Sequence, residues 1–278
     1  MLFRYPGGKS KITKKICPEI IARYNKCNVF VEPFFGSGAV TLELLKQGIV
    51  KEIWINDLDG GIAAIWNTII YKPNELIDKI NAYTPNVKDF YEFKRNLLNP
   101  NYITSTEEID VALQKIAVHQ MSFSGLGTMA GSPIGGKNQL DKNGNPKKYQ
   151  IDCRWSPKTL SKNIHNIHKL FDDCRIVHGR CTSDHYLAVL RNCDEDCFVY
   201  LDPPYYEMGQ QLYQCSFSLE DHMRLMHSLK GKENWLLSYD NHVYIKYLYN
   251  WAKVEEIPIK YTVTNNTDTC KELLIYPR

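Results

Sequence analysis

Apolar residues return every fourth position along "SKITKKICPEIIARY" (10–24), where Ile12, Ile16, Ile20 and Tyr24 share one helical face. Pro18 lies inside that run and is expected to bend or interrupt the helix. The rhythm then changes. "NVFVEPF" (28–34) reads as a short buried strand, "GSG" as a turn, and "AVTLELLKQG" as a helix closed by Gly48. "KEIWINDLD" (51–59) is a second strand ending in acid, and the sequence strand, glycine turn, helix, strand predicts a parallel βαβ unit. Residues 62–120 carry mainly helical periodicity, residues 124–157 are rich in Gly, Asn, Lys and Ser with "KNGN" as a tight turn, and a helix is expected over 158–172. "CRIVHG" reads as a strand and so does the apolar start of "FVYLDPPYYEM" (198–208). Ser218 with Asp221 predicts a helix start, "NWLLSYD" a strand, "HVYIKYLYNWAK" a helix, and the last 25 residues two strands around a polar turn. The alternation therefore stops and resumes. We expect an α/β sheet formed by residues 1–69 and 171–278, interrupted by an inserted domain over 70–170.

Composition narrows the class. At 278 residues, with 44% hydrophobic and 23% charged positions, the chain suits a globular protein with a sizeable core. No apolar run approaches the roughly 20 residues of a membrane span, and "MLFRYPGGKSK" lacks the apolar stretch of a secretory signal. Nine cysteines at irregular positions suit thiols in a reducing compartment, so a cytoplasmic location is expected. The net charge of +3 is small, but basic residues gather at 9–15 and 135–154, where lysines would suit DNA phosphates.

Two turns carry the chemistry. Glycines straight after a strand, as in "FVEPFFGSGAV", let a ligand approach the backbone at a helix N-terminus. Asp57 ends the next strand 19 residues after Gly38, where an acid accepts ribose hydroxyls in nucleotide-binding units. Thr41 replaces the third small residue of the dinucleotide fingerprint and two phenylalanines crowd the turn, so an adenosyl ligand without a diphosphate fits better than NAD. "GGKS" (7–10) resembles the end of a phosphate loop, but Phe3 stands where its first glycine is needed, which excludes that reading. The second turn follows a strand with Asp202, Pro203, Pro204 and Tyr205. The prolines remove two N–H donors and stiffen the tip. An acceptor beside an aromatic plate suits methylation of an exocyclic amine: hydrogen bonds from the amino group to Asp202 and the Pro203 carbonyl favour a pyramidal nitrogen. Tyr205 would stack on a base taken out of the duplex.

"RYPGGK" (4–9), "VEPFFGSG" (31–38), "INDLD" (55–59), "YLDPPYY" (200–206) and "KELLIYP" (271–277), in this order, resemble the Dam-type family of DNA N6-adenine methyltransferases. The resemblance spans nearly the whole chain and is loose only in the insertion. It implies a Rossmann-like sheet with an antiparallel strand near its edge, an inserted target-recognition domain of helices and a hairpin, and S-adenosylmethionine as cofactor. Carried over by position, Tyr5, Lys9, Glu32, Phe34, Gly36, Gly38, Asp57 and Asp202 would hold the cofactor, with Asp202 also touching the target amino group. The family often has tryptophan where this chain has Tyr5, which keeps an aromatic plate. The implied partner is double-stranded DNA, with a cognate restriction endonuclease as a further candidate.

Within 124–157, Lys137, Lys142, Lys147, Lys148 and Arg154 are candidates for phosphate contacts, and Asn138, Gln139 and Asn143 for base edges. Cys174, His178, Cys181 and His185 have a spacing unlike standard zinc sites, and no metal is expected. Two other readings stay open: a DNA-binding protein of the same fold without turnover, and an enzyme acting on RNA adenine or cytosine N4. Cytosine N4 enzymes more often carry serine in place of Asp202.

Overall fold

The computed structural model describes residues 2, 5, 7–24, 26–123, 125–259 and 270–278. Its strands are β1 (Val29–Glu32), β2 (Glu52–Ile55), β3 (Arg175–Ile176), β4 (Cys197–Leu201), β5 (Trp235–Asp240), β6 (Lys253–Ile259) and β7 (Cys270–Tyr276). Its helices are α1 (Thr13–Tyr24), α2 (Ala39–Lys46), α3 (Gly60–Tyr71), α4 (Pro73–Ala82), α5 (Val87–Leu97), α6 (Pro100–Ser105), α7 (Glu108–Met121), α8 (Pro157–His168), α9 (Tyr186–Asn192), α10 (Gly209–Leu212), α11 (Leu219–Leu229) and α12 (Val243–Leu248).

The strands form one sheet in the order β3-β2-β1-β4-β5-β7-β6. β3 to β5 run parallel, while β7 is antiparallel to both β5 and β6. β4 lies in the middle and is buried at all five positions, as a central parallel strand covered on both faces should be. Val31, Val199, Leu201, Leu225, Leu237, Tyr239 and Leu273 form part of a continuous core around it. The register Val29↔Cys197, Phe30↔Phe198, Val31↔Val199 makes β1 and β4 neighbours, so the glycine turn and the acidic tip leave adjacent strands at the same sheet edge.

The chain divides into two compact units. One consists of Gly7–Leu58, Asp173–Gln211 and Cys215–Arg278 and contains the whole sheet. The other is helical and consists of Asp59–Asp172, Leu212–Gln214 and the described residues of Met1–Pro6. In the helical unit α3 packs on α7, and a buried ion pair joins them: Lys115 Nζ lies 2.5 Å from Asp59 Oδ2. Asp59 also caps α3 by accepting from Gly61 N and Ile62 N. A Cβ on Gly61 would meet Lys115 Cδ at 2.9 Å, so a side chain here would displace the ion-paired lysine.

Three local expectations change. Pro18 does not interrupt α1, which runs over Thr13–Tyr24 with Ile16 and Ile20 at zero exposure anchoring it to the core. "CRIVHG" gives only two strand residues, because His178 turns the backbone left-handed at φ 64°. Tyr206, for which an exposed place at the rim beside Tyr205 is the expectation from its position in the tip, packs inward against His222, His242 and Tyr244 with ring centroids 4.5–5.3 Å away. The expected start of α11 is a capping box in which Ser218 and Asp221 satisfy each other's backbone N–H groups. The polar turn before β7, together with Arg4 and Pro6 of "RYPGGK", lies outside the described residues.

Candidate active site

The carboxyl edge of the sheet gathers residues from four distant parts of the chain. Lys9, in a short 3-10 turn, is 3% exposed and donates to Asp202 Oδ1 at 2.5 Å, to Tyr205 OH at 3.1 Å and to the Gly7 carbonyl at 3.0 Å. It also lies 2.9 Å from Glu272 Oε1 of β7, an ion-pair contact that is not aligned as a hydrogen bond. Tyr200 OH bonds Ser238 Oγ at 2.9 Å, and Ser238 Oγ donates to Asp202 Oδ1 at 3.1 Å. Both donors use Oδ1. Among the described residues none donates to Oδ2, on a side chain that keeps 19% exposure.

The tip beyond Asp202 is fixed from below. Asp240, at the end of β5, accepts from Tyr206 N at 2.9 Å and Glu207 N at 3.1 Å, so the first two N–H groups after Tyr205 are satisfied. Gly209 N returns to the Tyr205 carbonyl, and a Cβ on Gly209 would meet Pro204 Cβ at 3.4 Å. The Lys9 ammonium sits 4.8 Å from the Tyr205 ring centroid, within cation–π range.

Beside this lies the glycine turn. Gly36 and Gly38 have φ of 46° and 64°, which glycine adopts without the penalty of a side chain. Asp57 Oδ2 accepts from Gly36 N at 2.7 Å, so this acid braces the turn. Asn56 satisfies all its amide capacity there: Nδ2 donates to the Pro33 and Asp184 carbonyls, and Oδ1 accepts from Thr182 Oγ1 and Asp184 N. Glu32 is 3% exposed and accepts from the Thr41 hydroxyl and, at 3.3 Å, from Thr41 N in the first turn of α2. Phe34 packs with Tyr186 and Phe217 at 5.5 and 5.6 Å. Tyr5 belongs to the helical unit, where its ring lies near His119 and Tyr213 at 6.2 and 6.0 Å.

The electrostatics follow from one buried lysine among three acids. Burial opposes the Lys9 charge, but Asp202 and Glu272 outweigh it and hold the ammonium well above its usual range. Burial raises Glu32 to about 8, against its Thr41 hydrogen bonds, and raises Glu272 to about 7, against the pull of Lys9. Burial also pushes the Asp202 carboxyl up, opposed by Lys9 and Ser238. Carboxyls raised on folding contribute stability that is complete below their ordinary range and is lost as pH rises through about 7 and 8 for Glu272 and Glu32. Since each pKa unit is worth about 1.4 kcal/mol, we expect the melting midpoint to fall by roughly 5–10 °C between pH 5 and pH 8. A midpoint flat over that range in thermal denaturation would contradict these protonation states.

The lysine-rich loop before α8 uses part of its own charge internally. Gln139 bonds the Ile134 and Gly136 carbonyls and accepts from Ile151 N. Lys147 Nζ donates to the Gly135 carbonyl at 2.6 Å, and Arg154 to the Ser122 and Phe123 carbonyls. Lys142 and Asn143 stand exposed at a turn closed by Asp141, which accepts from Asn143 N and Asn145 N. Lys137, Asn138 and Lys148 are also exposed; Lys137 lies 5.6 Å from the Tyr91 ring and Asn138 caps Leu140 N. Cys174, His178, Cys181 and His185 have separate partners: His178 packs on Trp54, His185 caps α9, and the two thiols face neighbouring carbonyls. Among the described residues no three His, Cys, Asp or Glu side chains converge as a metal site, no disulfide forms, and no helix is long and apolar enough to cross a membrane.

Glu272, Asp240 and Ser238 had no assigned role in the sequence. No short-range sequence signal marks Glu272, a lone acid ahead of the apolar run Leu273–Tyr276.

An α/β sheet carrying a glycine turn and an Asp-Pro-Pro-Tyr tip on adjacent strand ends is the frame of an amino-methylating enzyme, and the comparison with known families agrees. The chain belongs to the D12 class N6 adenine-specific DNA methyltransferase family, whose sequence model matches residues 5–264. It is similar to the Type II methyltransferase M1.LlaDCHI of Lactococcus lactis subsp. cremoris, 27% identical over 82% of this chain and 75% of that protein. It is also similar to the Type II methyltransferase M.MjaIII of Methanocaldococcus jannaschii, 24% identical over 78% and 73%, and to the DNA adenine methylase of Haemophilus influenzae, 20% identical over 95% and 88%. The protein is an adenine-specific DNA methyltransferase, and its reaction implies a methyl donor.

Proposed function

We propose that S-adenosylmethionine is the methyl donor and that Asp202 Oδ2 receives the N6 amino group of an adenine extruded from double-stranded DNA. The observation that carries this reading is the division of labour within the Asp202 carboxylate. Oδ1 is pinned by Lys9 and Ser238, while Oδ2 has no donor among the described residues. A carboxylate so held presents one acceptor in a fixed direction without reorganising.

The residues present fit the donor. Gly36 and Gly38 hold the turn at positive φ beside the half-buried Phe34, and Asp57, braced on Gly36 N, supplies an acidic group for a ligand that carries hydroxyls. When bound, the donor supplies an electrophilic methyl group. Lys9 keeps Asp202 oriented, Asp240 fixes the tip, and Tyr205 offers its ring to the extruded base. Tyr5, Lys9, Glu32, Phe34, Gly36, Gly38 and Asp57 are proposed as the donor's binding set.

The helical unit is the proposed target-recognition part, with Lys142, Asn143 and Lys148 as its outward contacts and Gln139, Lys147 and Arg154 as the braces of its loop. Neutralising Lys142 and Lys148 together is expected to weaken binding to all DNA sequences alike and to reduce the slope of log affinity against log salt by about 2. A titration at several salt concentrations checks this, and an unchanged slope would remove these lysines from the interface. A cytoplasmic location and a restriction endonuclease sharing the target are proposed, the latter because two relatives are named Type II methyltransferases.

The test is incubation with radiolabelled S-adenosylmethionine and unmethylated plasmid DNA, followed by mapping of N6-methyladenine. Label at one recurring sequence supports the reading. Binding of DNA and donor without label would instead favour a silent DNA-binding protein.

A further inference from the structure

Lys9 is shared between two carboxylates, and only one of them is needed to orient it. Its ammonium lies 2.5 Å from Asp202 Oδ1 and 2.9 Å from Glu272 Oε1, with Lys9 and Glu272 only 3% and 2% exposed. Lys9 acts on Glu272 chiefly through its charge. An amino nitrogen that gains a methyl group must lose a proton, because the positive charge that arrives with the methyl leaves as H+. In the reading above, the N–H bond breaks with its electron pair left on nitrogen, and an O–H bond forms at Asp202 Oδ2. The charge of the buried trio decides how readily this happens. With Glu272 ionised, Asp202, Lys9 and Glu272 sum to −1 before the transfer and to zero after it. With Glu272 protonated they sum to zero before and +1 after, leaving a buried ammonium without a counter-ion, which is strongly unfavourable.

We propose that Glu272 is a positioning residue for methyl transfer: acting through Lys9, it supplies the counter-charge that lets Asp202 take up the proton released by the target amino group. The inference rests on Asp202 receiving that amino group.

The charged groups acting on Glu272 are Lys9, Asp202 and Asp240, while its partner on β6, Ile257, carries no charge. Lys9 touches it, Asp202 shares that lysine, and Asp240 is its register partner on β5, with its carboxylate occupied by Tyr206 N and Glu207 N. Asp202 in turn raises Glu32 on β1, while Tyr200 and Tyr205 face Lys9. Burial places Glu272 at about 7, opposed by Lys9. Its ionised fraction therefore grows about tenfold from pH 6 to pH 8.

The experiment is single-turnover methylation of unmethylated plasmid DNA between pH 6 and pH 8, with S-adenosylmethionine saturating. The wild type is expected to accelerate about tenfold over this range. Glu272→Gln should lose that rise, running at a flat rate about tenfold or more below the wild type at pH 8. A Glu272→Gln variant that is slower but retains the full rise, or that matches the wild type throughout, overturns the proposal. A second measurement needs no Glu272 variant: the Glu272 carboxyl is followed by 13C NMR in wild type and in Asp202→Asn. With Lys9 serving one acid only, Glu272 should titrate at lower pH by about one unit or more, and an unmoved titration overturns the coupling. A wild type that never methylates DNA fails the proposed function instead, which the NMR result leaves distinguishable.

Discussion

Asp202→Asn is expected to slow methyl transfer by about 10²–10⁴-fold, the range for removing a positioned acid–base group, while DNA and donor binding stay within a few-fold of wild type. The substitution keeps the shape of the side chain but not its chemistry. Lys9 and Ser238 both donate to the Oδ1 position, so the amide carbonyl must settle there. The amide NH₂ then occupies the Oδ2 position and offers donors where the target amino group also offers donors. The nitrogen to be methylated loses the acceptor that shapes its lone pair, and the released proton loses its seat. Single-turnover label transfer measures the effect, and separate binding titrations show that the site is still formed. A rate within tenfold of wild type would remove Asp202 from direct contact with the amino group.

Lys9→Met should destabilise the protein by about 3–5 kcal/mol, the usual cost of removing one partner from a buried ion pair, and should abolish activity. The pH dependence distinguishes charge from packing. Without the ammonium, the folded-state values of Asp202 and Glu272 rise further above the ordinary carboxylate range. Groups raised on folding keep their stability at low pH and lose it as pH rises through the folded values, so the deficit should be small at pH 5 and largest at pH 8. Urea denaturation at both values reads this directly. An equal deficit at both would mean that Lys9 serves mainly as an aliphatic filler.

Much of the frame was legible because its signals are local. The strand, glycine turn and helix at residues 29–46 depend on neighbours in sequence, as does the Ser218–Asp221 box. The acidic tip was readable because prolines can follow Asp202 only where no ladder bond is needed. The Glu272 partnership was not readable, since its lysine is at the far end of the chain and nothing short-range marks an inward-facing acid in "KELLIYP". Asp240 was hidden for the same reason: its bonds go to the backbone of Tyr206 and Glu207, and backbone acceptor needs leave no trace in residue identity. In the lysine-rich loop, composition reported charge correctly but not direction. Lys142 and Lys147 look alike in sequence, yet one stands in solvent and the other ties down the Gly135 carbonyl. His178 misled the strand expectation because a left-handed turn at a histidine has no sequence signature.

The adjacency of β1 and β4 bears on how such a protein changes over generations. A ladder from Val29↔Cys197 to Val31↔Val199 fixes the separation of the glycine turn from Asp202. The length of chain threaded between those strands has no part in it. Insertions or deletions in the helical segment therefore leave that separation unchanged, so the segment can vary while the strand ends keep their geometry.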